Sequence, residues 1–198
     1  MQVKEVLAHK YVKRLYFGRF ISNYGNGMGP IALSFGILGL PNGSANLLGL
    51  VLGSTTVAFL IMAPFGGVIA DKYGRARMVG LTDMIGGTIL FIQVGFFATG
   101  NVPVAVLLLV NGSFGILWGI FWPAFSGVIP AVLPEPGWQR GNAINSLVSN
   151  GGIILGAASA GFLVSGFGAT IALAIDAASF IISGAFILSV SIETAHIN

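Results

Sequence analysis

Six long apolar stretches account for nearly all of this 198-residue chain and constrain its fold more than any other feature. They lie at roughly residues 14–39, 46–70, 78–99, 103–130, 142–164 and 168–191. Each is long enough to cross the hydrocarbon core of a membrane as a helix, which takes roughly 20 residues. Turn-forming segments such as Pro41-Asn42-Gly43-Ser44 separate them. The sequence therefore predicts an all-α integral membrane protein, with residues 1–198 forming one domain of six transmembrane helices.

The composition excludes a soluble globular domain. Charged residues make up 8% of the chain and hydrophobic residues 55%, whereas a soluble domain carries about 25% charged residues. The chain has no cysteine, and its two histidines, His9 and His196, lie outside the apolar stretches. Because the stretches hold no His, Cys or clustered carboxylates, we predict that the protein is not an enzyme and has no metal site or cofactor.

The distribution of basic residues predicts the orientation of the helices. Lys4, Lys10, Lys13, Arg14 and Arg19 lie at the start, Lys72, Arg75 and Arg77 follow the second stretch, and Arg140 follows the fourth. Cationic segments stay in the cytoplasm during insertion, so both termini are predicted to be cytoplasmic in a multi-pass protein of the cell inner membrane, surrounded by lipid. This orientation accounts for the net charge of +3 without nucleic acid as a partner.

Three charged residues within the stretches, Asp83, Asp176 and Arg19, are candidates for function, since a charge at membrane depth is costly. Asp83, within two turns of the start of the third stretch, either has a functional role or is merely stabilised by that helix N-terminus. Asp176 lies near the middle of the sixth stretch and is the candidate proton site. The alternative for Asp176 is a structural hydrogen bond to a neighbouring helix. Arg19 either extends to the cytoplasmic surface or faces a water-filled cavity.

Aromatic and amide side chains predict such a cavity. An aromatic stripe recurs at helical spacing on the fourth stretch, which indicates either ligand contact or ordinary packing; it comprises Phe114, Trp118, Phe121, Trp122 and Phe125. Amides within a membrane need a partner helix or water. The candidate cavity residues are Arg19, Asn23, Asn26, Asn111, Phe114, Trp118 and Asn145.

Glycine is abundant, with 30 residues, and small residues let membrane helices approach closely. In the fifth stretch, Gly152, Gly156 and Gly161 leave one side almost without bulk. We predict that these glycines pack against another helix, either as a static contact or as a smooth face along which helices rock.

A charged motif connects the second and third stretches. It reads Gly67-Val68-Ile69-Ala70-Asp71-Lys72-Tyr73-Gly74-Arg75-Ala76-Arg77 and resembles the G-x-x-x-D-[RK]-x-G-R-x-[RK] signature of the major facilitator superfamily. Residues 18–27, 140–146 and 175–180 resemble the drug:proton antiporter branch that contains macrolide and siderophore exporters. The resemblance implies a gating motif of Gly67, Asp71, Lys72, Gly74, Arg75 and Arg77.

The resemblance also implies one half of a major facilitator fold, because the family has twelve helices in two six-helix halves with the substrate between them. We expect a half-size secondary transporter that works as a homodimer by alternating access. Its expected activity is proton-coupled export of small amphipathic organic molecules. The alternatives are an isolated amino-terminal half that needs a separate carboxy-terminal half or is inactive, and a membrane scaffold without transport.

Asp71 is expected to contact a second copy of the chain. In twelve-helix relatives the matching Asp meets the start of the eleventh helix, which the repeat relates to the fifth helix here. The expected partners are therefore Arg140, Gly141 and Asn142 of the second copy, where helix N–H groups and a cation stabilise a carboxylate. The alternative is pairing with Arg75 or Arg77 of the same chain.

Overall fold

The protein is built from helices joined by short turns. The computed structural model describes residues 2–9 and 11–189, which contain no β-strand. The helices are α1 (Val3–Ala8), α2 (Val12–Leu38), α3 (Ala45–Tyr73), α4 (Arg75–Thr99), α5 (Val104–Ser126), α6 (Val128–Val132), α7 (Trp138–Phe167) and α8 (Ala169–Leu188), with a 3₁₀ turn at Glu135–Gly137. Six of these helices have 20 or more residues, and they correspond in order to the six predicted stretches.

Five of the long helices, α3, α4, α5, α7 and α8, are long and apolar enough to cross a membrane. An all-helical membrane protein is therefore confirmed. The remaining long helix, α2, carries Arg19, Asn23 and Asn26 along its length, and its membrane crossing stays a prediction. The end of the sixth predicted stretch, together with Lys10 and His196, lies outside the described residues.

The helix boundaries differ from the predicted ones in two places. The connection predicted at 71–77 is reduced to Gly74, whose φ of 92° is a conformation that glycine adopts without steric cost. The stretch predicted at 103–130 breaks after Ser126, and the chain continues in the short α6. Because Pro130 has no N–H to donate to the preceding turn, it cannot continue the regular hydrogen bonding of α5.

Hydropathy does not reveal the short helix α1. Its Val6 is fully buried in a cluster with Val12 and Leu15 of α2, Ile129 of α6 and Leu133. Burying a valine side chain contributes about 1.5–3 kcal/mol. The residues before the first stretch therefore help to hold one end of the bundle together.

The packing of the long helices depends on glycines. α2 packs on both α7 and α8, α4 packs on α8 and α5, and α3 packs on α5. A Cβ atom on Gly156 would overlap the backbone carbonyl of Tyr24, and one on Gly152 would meet the backbone of Phe20. By contrast, among the described residues no atom beyond the helix's own backbone lies within 4 Å of a Cβ placed on Gly161. Of the three glycines predicted to pack, Gly152 and Gly156 thus lie against α2, whereas Gly161 faces outward.

Replacing Gly156 by Ala should destabilise the fold, because the added methyl group would force α2 and α7 apart. Overpacking of this kind costs about 1–3 kcal/mol. Gly161→Ala adds the same group to the same helix where nothing lies within 4 Å, so it is the matched control. Thermal unfolding in detergent, followed by circular dichroism, should give a lower midpoint for Gly156→Ala alone. Equal midpoints for the two variants would contradict this packing.

Candidate functional site

A polar cavity of about 150 Å³ lies between α2, α4, α5, α7 and α8. Its lining residues are Arg19, Asn23, Asn26, Asp83, Trp118, Phe121, Trp122, Ile153 and Phe180. One cation, one carboxylate and two amides therefore face a wall that is otherwise apolar and largely aromatic. Such a lining suits a ligand with a polar group attached to an apolar body.

Arg19 is the cation of this cavity and is only 2% exposed. Its Nη1 donates a hydrogen bond to Ser22 Oγ at 2.9 Å, and its Nη2 donates to Asn23 Oδ1 at 3.3 Å. The guanidinium carbon lies 4.7 Å from the ring centre of Phe121 and 4.5 Å from that of Phe125, so both rings stabilise the charge. The side chain thus turns into the bundle instead of extending to the cytoplasmic surface.

Asp83 supplies the carboxylate of the cavity and is also 2% exposed. Its Oδ2 accepts a hydrogen bond from Ser183 Oγ at 2.6 Å, which joins α4 to α8. The opposite charges of Asp83 and Arg19 attract each other inside the bundle. Within the described ranges, no group of three or more His, Asp or Glu side chains comes together as a metal site.

The cavity contains four of the seven residues predicted to line it, namely Arg19, Asn23, Asn26 and Trp118. Asn111 instead donates to Gln93 Oε1 at 2.9 Å, which directs its amide toward α4. Phe114 packs edge-to-face on Phe180, with ring centres 5.2 Å apart. Asn145 Oδ1 is buried and has no hydrogen-bond partner among the residues that the structure describes. Asn111 and Phe114 therefore form contacts within the bundle and do not line the cavity. Asn145 does not line it either.

Some side chains of the aromatic stripe of α5 line the cavity, and the others pack against neighbouring rings. Trp118, Phe121 and Trp122 line the cavity. Phe125 stacks on Phe121 with an interplanar angle of 11° and ring centres 5.6 Å apart. The two nearly parallel rings thus both lie against the Arg19 guanidinium.

Asp176, the candidate proton site, lies apart from the cavity in the contact between α8 and α2. It is 6% exposed, and its Oδ1 has no hydrogen-bond partner in the described part of the chain. Cβ atoms on Gly25 or Gly29 would overlap its carboxyl group. The carboxyl group therefore fits between the two helices because α2 has no side chains at these positions.

Several polar residues of the core were not predicted from the sequence, among them Ser183 and Gln93. Ser183 follows Asp176 and Ser179 on one face of α8, and all three are buried. Their spacing of three and then four residues places them on one face of a helix, so this pattern could have predicted a polar face from the sequence. Gln93, the partner of Asn111, has no polar residue three or four positions away along α4 and offers no comparable signal.

The motif at residues 67–77 connects three helices. Arg75 Nε donates to Asp71 Oδ1 at 2.8 Å, and Arg75 Nη1 donates to the Pro123 carbonyl of α5 at 3.5 Å. The remaining motif residues are Gly67 and Lys72 in α3, Gly74 in the turn and Arg77 in α4. Asp71 therefore has a partner within its own chain, the alternative that the sequence left open.

The expected intersubunit partners of Asp71 divide into exposed and buried residues. Gly141 is buried, and its carbonyl accepts a hydrogen bond from Tyr16 Oη at 2.9 Å. Arg140 and Asn142 are exposed. The side chain of Asp71 is 61% exposed, whereas the carbonyl of Gly141 is turned toward its own chain.

The sequence matches the model of the Major Facilitator Superfamily over residues 15–196. The chain therefore belongs to this superfamily, and the resemblance based on the motif at residues 67–77 is confirmed. The protein is thus a multi-pass membrane protein of a transporter family, and the prediction that it is not an enzyme is confirmed.

Two curated relatives illustrate the similarity. The chain is 26% identical over 189 residues to the uncharacterized MFS-type transporter YkuC of Bacillus subtilis (strain 168), an alignment that covers 93% of this chain and 43% of YkuC. It is 31% identical over 160 residues to the quinolone resistance protein NorA of Staphylococcus aureus (strain MRSA252), covering 78% of this chain and 38% of NorA. The chain thus spans about two fifths of the length of these relatives.

Proposed function

We propose that the chain is a half-size secondary transporter that works as a homodimer in the cell inner membrane. It exports small amphipathic organic molecules by alternating access, in exchange for protons. Residues 1–198 form one domain of six membrane-crossing helices, with both termini in the cytoplasm and lipid around the bundle.

The cavity is the observation that supports transport best. It holds Arg19 and Asp83 beside aromatic side chains inside an otherwise apolar bundle. Charged groups are expensive at membrane depth, and they typically line the path of a substrate or ion. Similarity to a protein named for quinolone resistance further supports an organic substrate.

The surfaces of α3 and α7 support pairing with a second copy. In an 18-residue apolar stretch of each helix, only 11% of the residues of α3 and 17% of those of α7 are buried, against 50% in α8. Gly49 and Gly53 lie in a shallow groove of about 840 Å³ along α3. In the part of the chain that the structure describes, no atom beyond the helix's own backbone lies within 4 Å of a Cβ placed on either glycine, or on Gly151 of α7. These outward-facing glycines allow helices of a second copy to approach closely.

Asp71 forms the cytoplasmic contact of this homodimer with the second copy's Arg140 and Asn142. The competing pair with Arg75 is exposed, and exposed ion pairs contribute only about 0.2–1 kcal/mol. Asp71 can therefore exchange Arg75 for the second copy at little cost. The contact forms while the cytoplasmic side is closed and breaks when it opens.

The chain has no native cysteine, so the contact can be tested by disulfide crosslinking. Oxidation of the Asp71→Cys/Arg140→Cys variant in membranes should give covalent dimers, because each molecule contributes both halves of the contact. The matched control is Asp71→Cys/Arg14→Cys, in which the second cysteine replaces an exposed arginine of α2 and should give no dimer above background. Only intrachain disulfides, or none, in the 71/140 variant would refute the contact.

Asp176 is the proton site in this proposal. An ionised carboxylate that lacks hydrogen-bond donors is strongly disfavoured in an apolar interior, whereas the protonated acid is tolerated. Its position against Gly25 and Gly29 couples its charge to the distance between α2 and α8. Loss of the proton would draw water or a donor toward the carboxylate and loosen this contact.

Asp176→Asn should abolish uptake driven by a pH gradient in proteoliposomes, because the amide cannot bind and release a proton. Accumulation of a planar amphipathic dye should fall to the level of protein-free vesicles. Exchange of the same dye without a gradient is the internal control and should continue, since the amide keeps the shape of the carboxyl group. Unchanged gradient-driven uptake would remove Asp176 from the coupling mechanism.

A further inference from the structure

Arg19 is a buried cation that the chain itself leaves incompletely paired. It is 98% buried, since its exposed fraction is 2%, and it forms no ion pair with a carboxylate among the described residues. Its Nε donor has no hydrogen-bond partner in the same part of the structure. Buried donors and charges are costly unless they are paired. Arg19 lines the cavity and has one unpaired donor, which favours a hydrogen-bond acceptor, and most strongly an anion, as its ligand.

The surroundings of this cation are aromatic. Phe121 and Phe125 lie against the guanidinium, while Trp118, Trp122 and Phe180 form other walls of the same cavity. A planar ring fits such walls by edge-to-face and offset stacking. The two requirements, an acceptor for Arg19 and a flat apolar body for the walls, are met together by an aromatic carboxylate.

We propose that the cavity binds organic anions, specifically aromatic carboxylates, with the carboxylate on the Arg19 guanidinium and the ring among Trp118, Phe121 and Phe180. This proposal rests on the proposed function and names its substrate class. A guanidinium binds a carboxylate through two parallel hydrogen bonds, which an amide or an alcohol cannot reproduce.

Asp83 sets the strength of this binding. Its carboxylate lines the same cavity and attracts Arg19, so it competes with the ligand for the guanidinium and repels the ligand charge. The alternative is a ligand cation bound to Asp83. Such a cation would be repelled by the charge of Arg19 in the same cavity, and Asp83 Oδ2 already accepts a hydrogen bond from Ser183. The two charges of the cavity balance each other, and the unpaired Nε donor of Arg19, beside a carboxylate that already accepts a hydrogen bond, favours a ligand anion over a ligand cation.

Binding of 1-naphthoate and of its uncharged isostere 1-naphthamide tests the proposal. Equilibrium dialysis against protein in nanodiscs, with empty nanodiscs as the blank, should give tighter binding of 1-naphthoate. Arg19→Gln should weaken 1-naphthoate at least about tenfold, as expected for loss of a charge-assisted hydrogen bond, and leave 1-naphthamide unchanged. Arg14→Gln removes an exposed arginine of the same helix and should change neither affinity.

Asp83→Asn keeps the test informative if Arg19→Gln does not fold. It should bind 1-naphthoate more tightly than the unmodified protein does, because a competing negative charge is removed. Equal binding of 1-naphthoate and 1-naphthamide would refute the anion site and leave an amphipathic transporter standing. Preferential binding of 1-naphthylmethylamine that is lost in Asp83→Asn would replace it with a cation site. Absence of binding by all three probes would refute the anion site, whereas the proposed function is tested separately by gradient-driven uptake of the dye.

Discussion

The stabilisation of one buried guanidinium determines how the core of this bundle is arranged. Moving an arginine into an apolar interior costs several kcal/mol unless other groups compensate. The compensation here comes from Ser22 and Asn23 on the same helix, from two rings of α5, and from the charge of Asp83 on α4. Because these groups come from separate helices, Arg19 fixes α2, α4 and α5 relative to one another and keeps a polar cavity open between them.

Glycines of α2 allow α7 and α8 to pack closely on the helix that carries Arg19. On one side Gly25 and Gly29 admit the Asp176 carboxyl group of α8, and on another a Cβ on Gly27 would overlap the Ile153 carbonyl of α7. Contacts without side chains are close but not interlocked, which is compatible with small relative movements of the helices. The same helix thus carries the proposed binding residue and the surfaces that would move during transport.

The features that could be predicted from the sequence are those with a local cause. Apolar length predicts the long helices, and the motif at residues 67–77 predicts the family, because both are read from consecutive residues. Side-chain direction is not local. The Asn111 side chain points toward Gln93 and not into the cavity. The Arg19 side chain is buried in the bundle, although it is long enough to extend to the membrane surface. Both outcomes depend on partners on another helix, which a single sequence does not place.

The mass of the particle in nanodiscs, measured with substrate present, tests the homodimer most directly. One chain has a mass of 20.4 kDa. Because the proposed transporter consists of two copies, native mass spectrometry should give a protein mass of twice this value, and the dimer should persist when the protein is diluted. A particle of 20.4 kDa that still binds substrate would contradict the homodimer, and it would favour a chain that needs a separate carboxy-terminal half to complete the path.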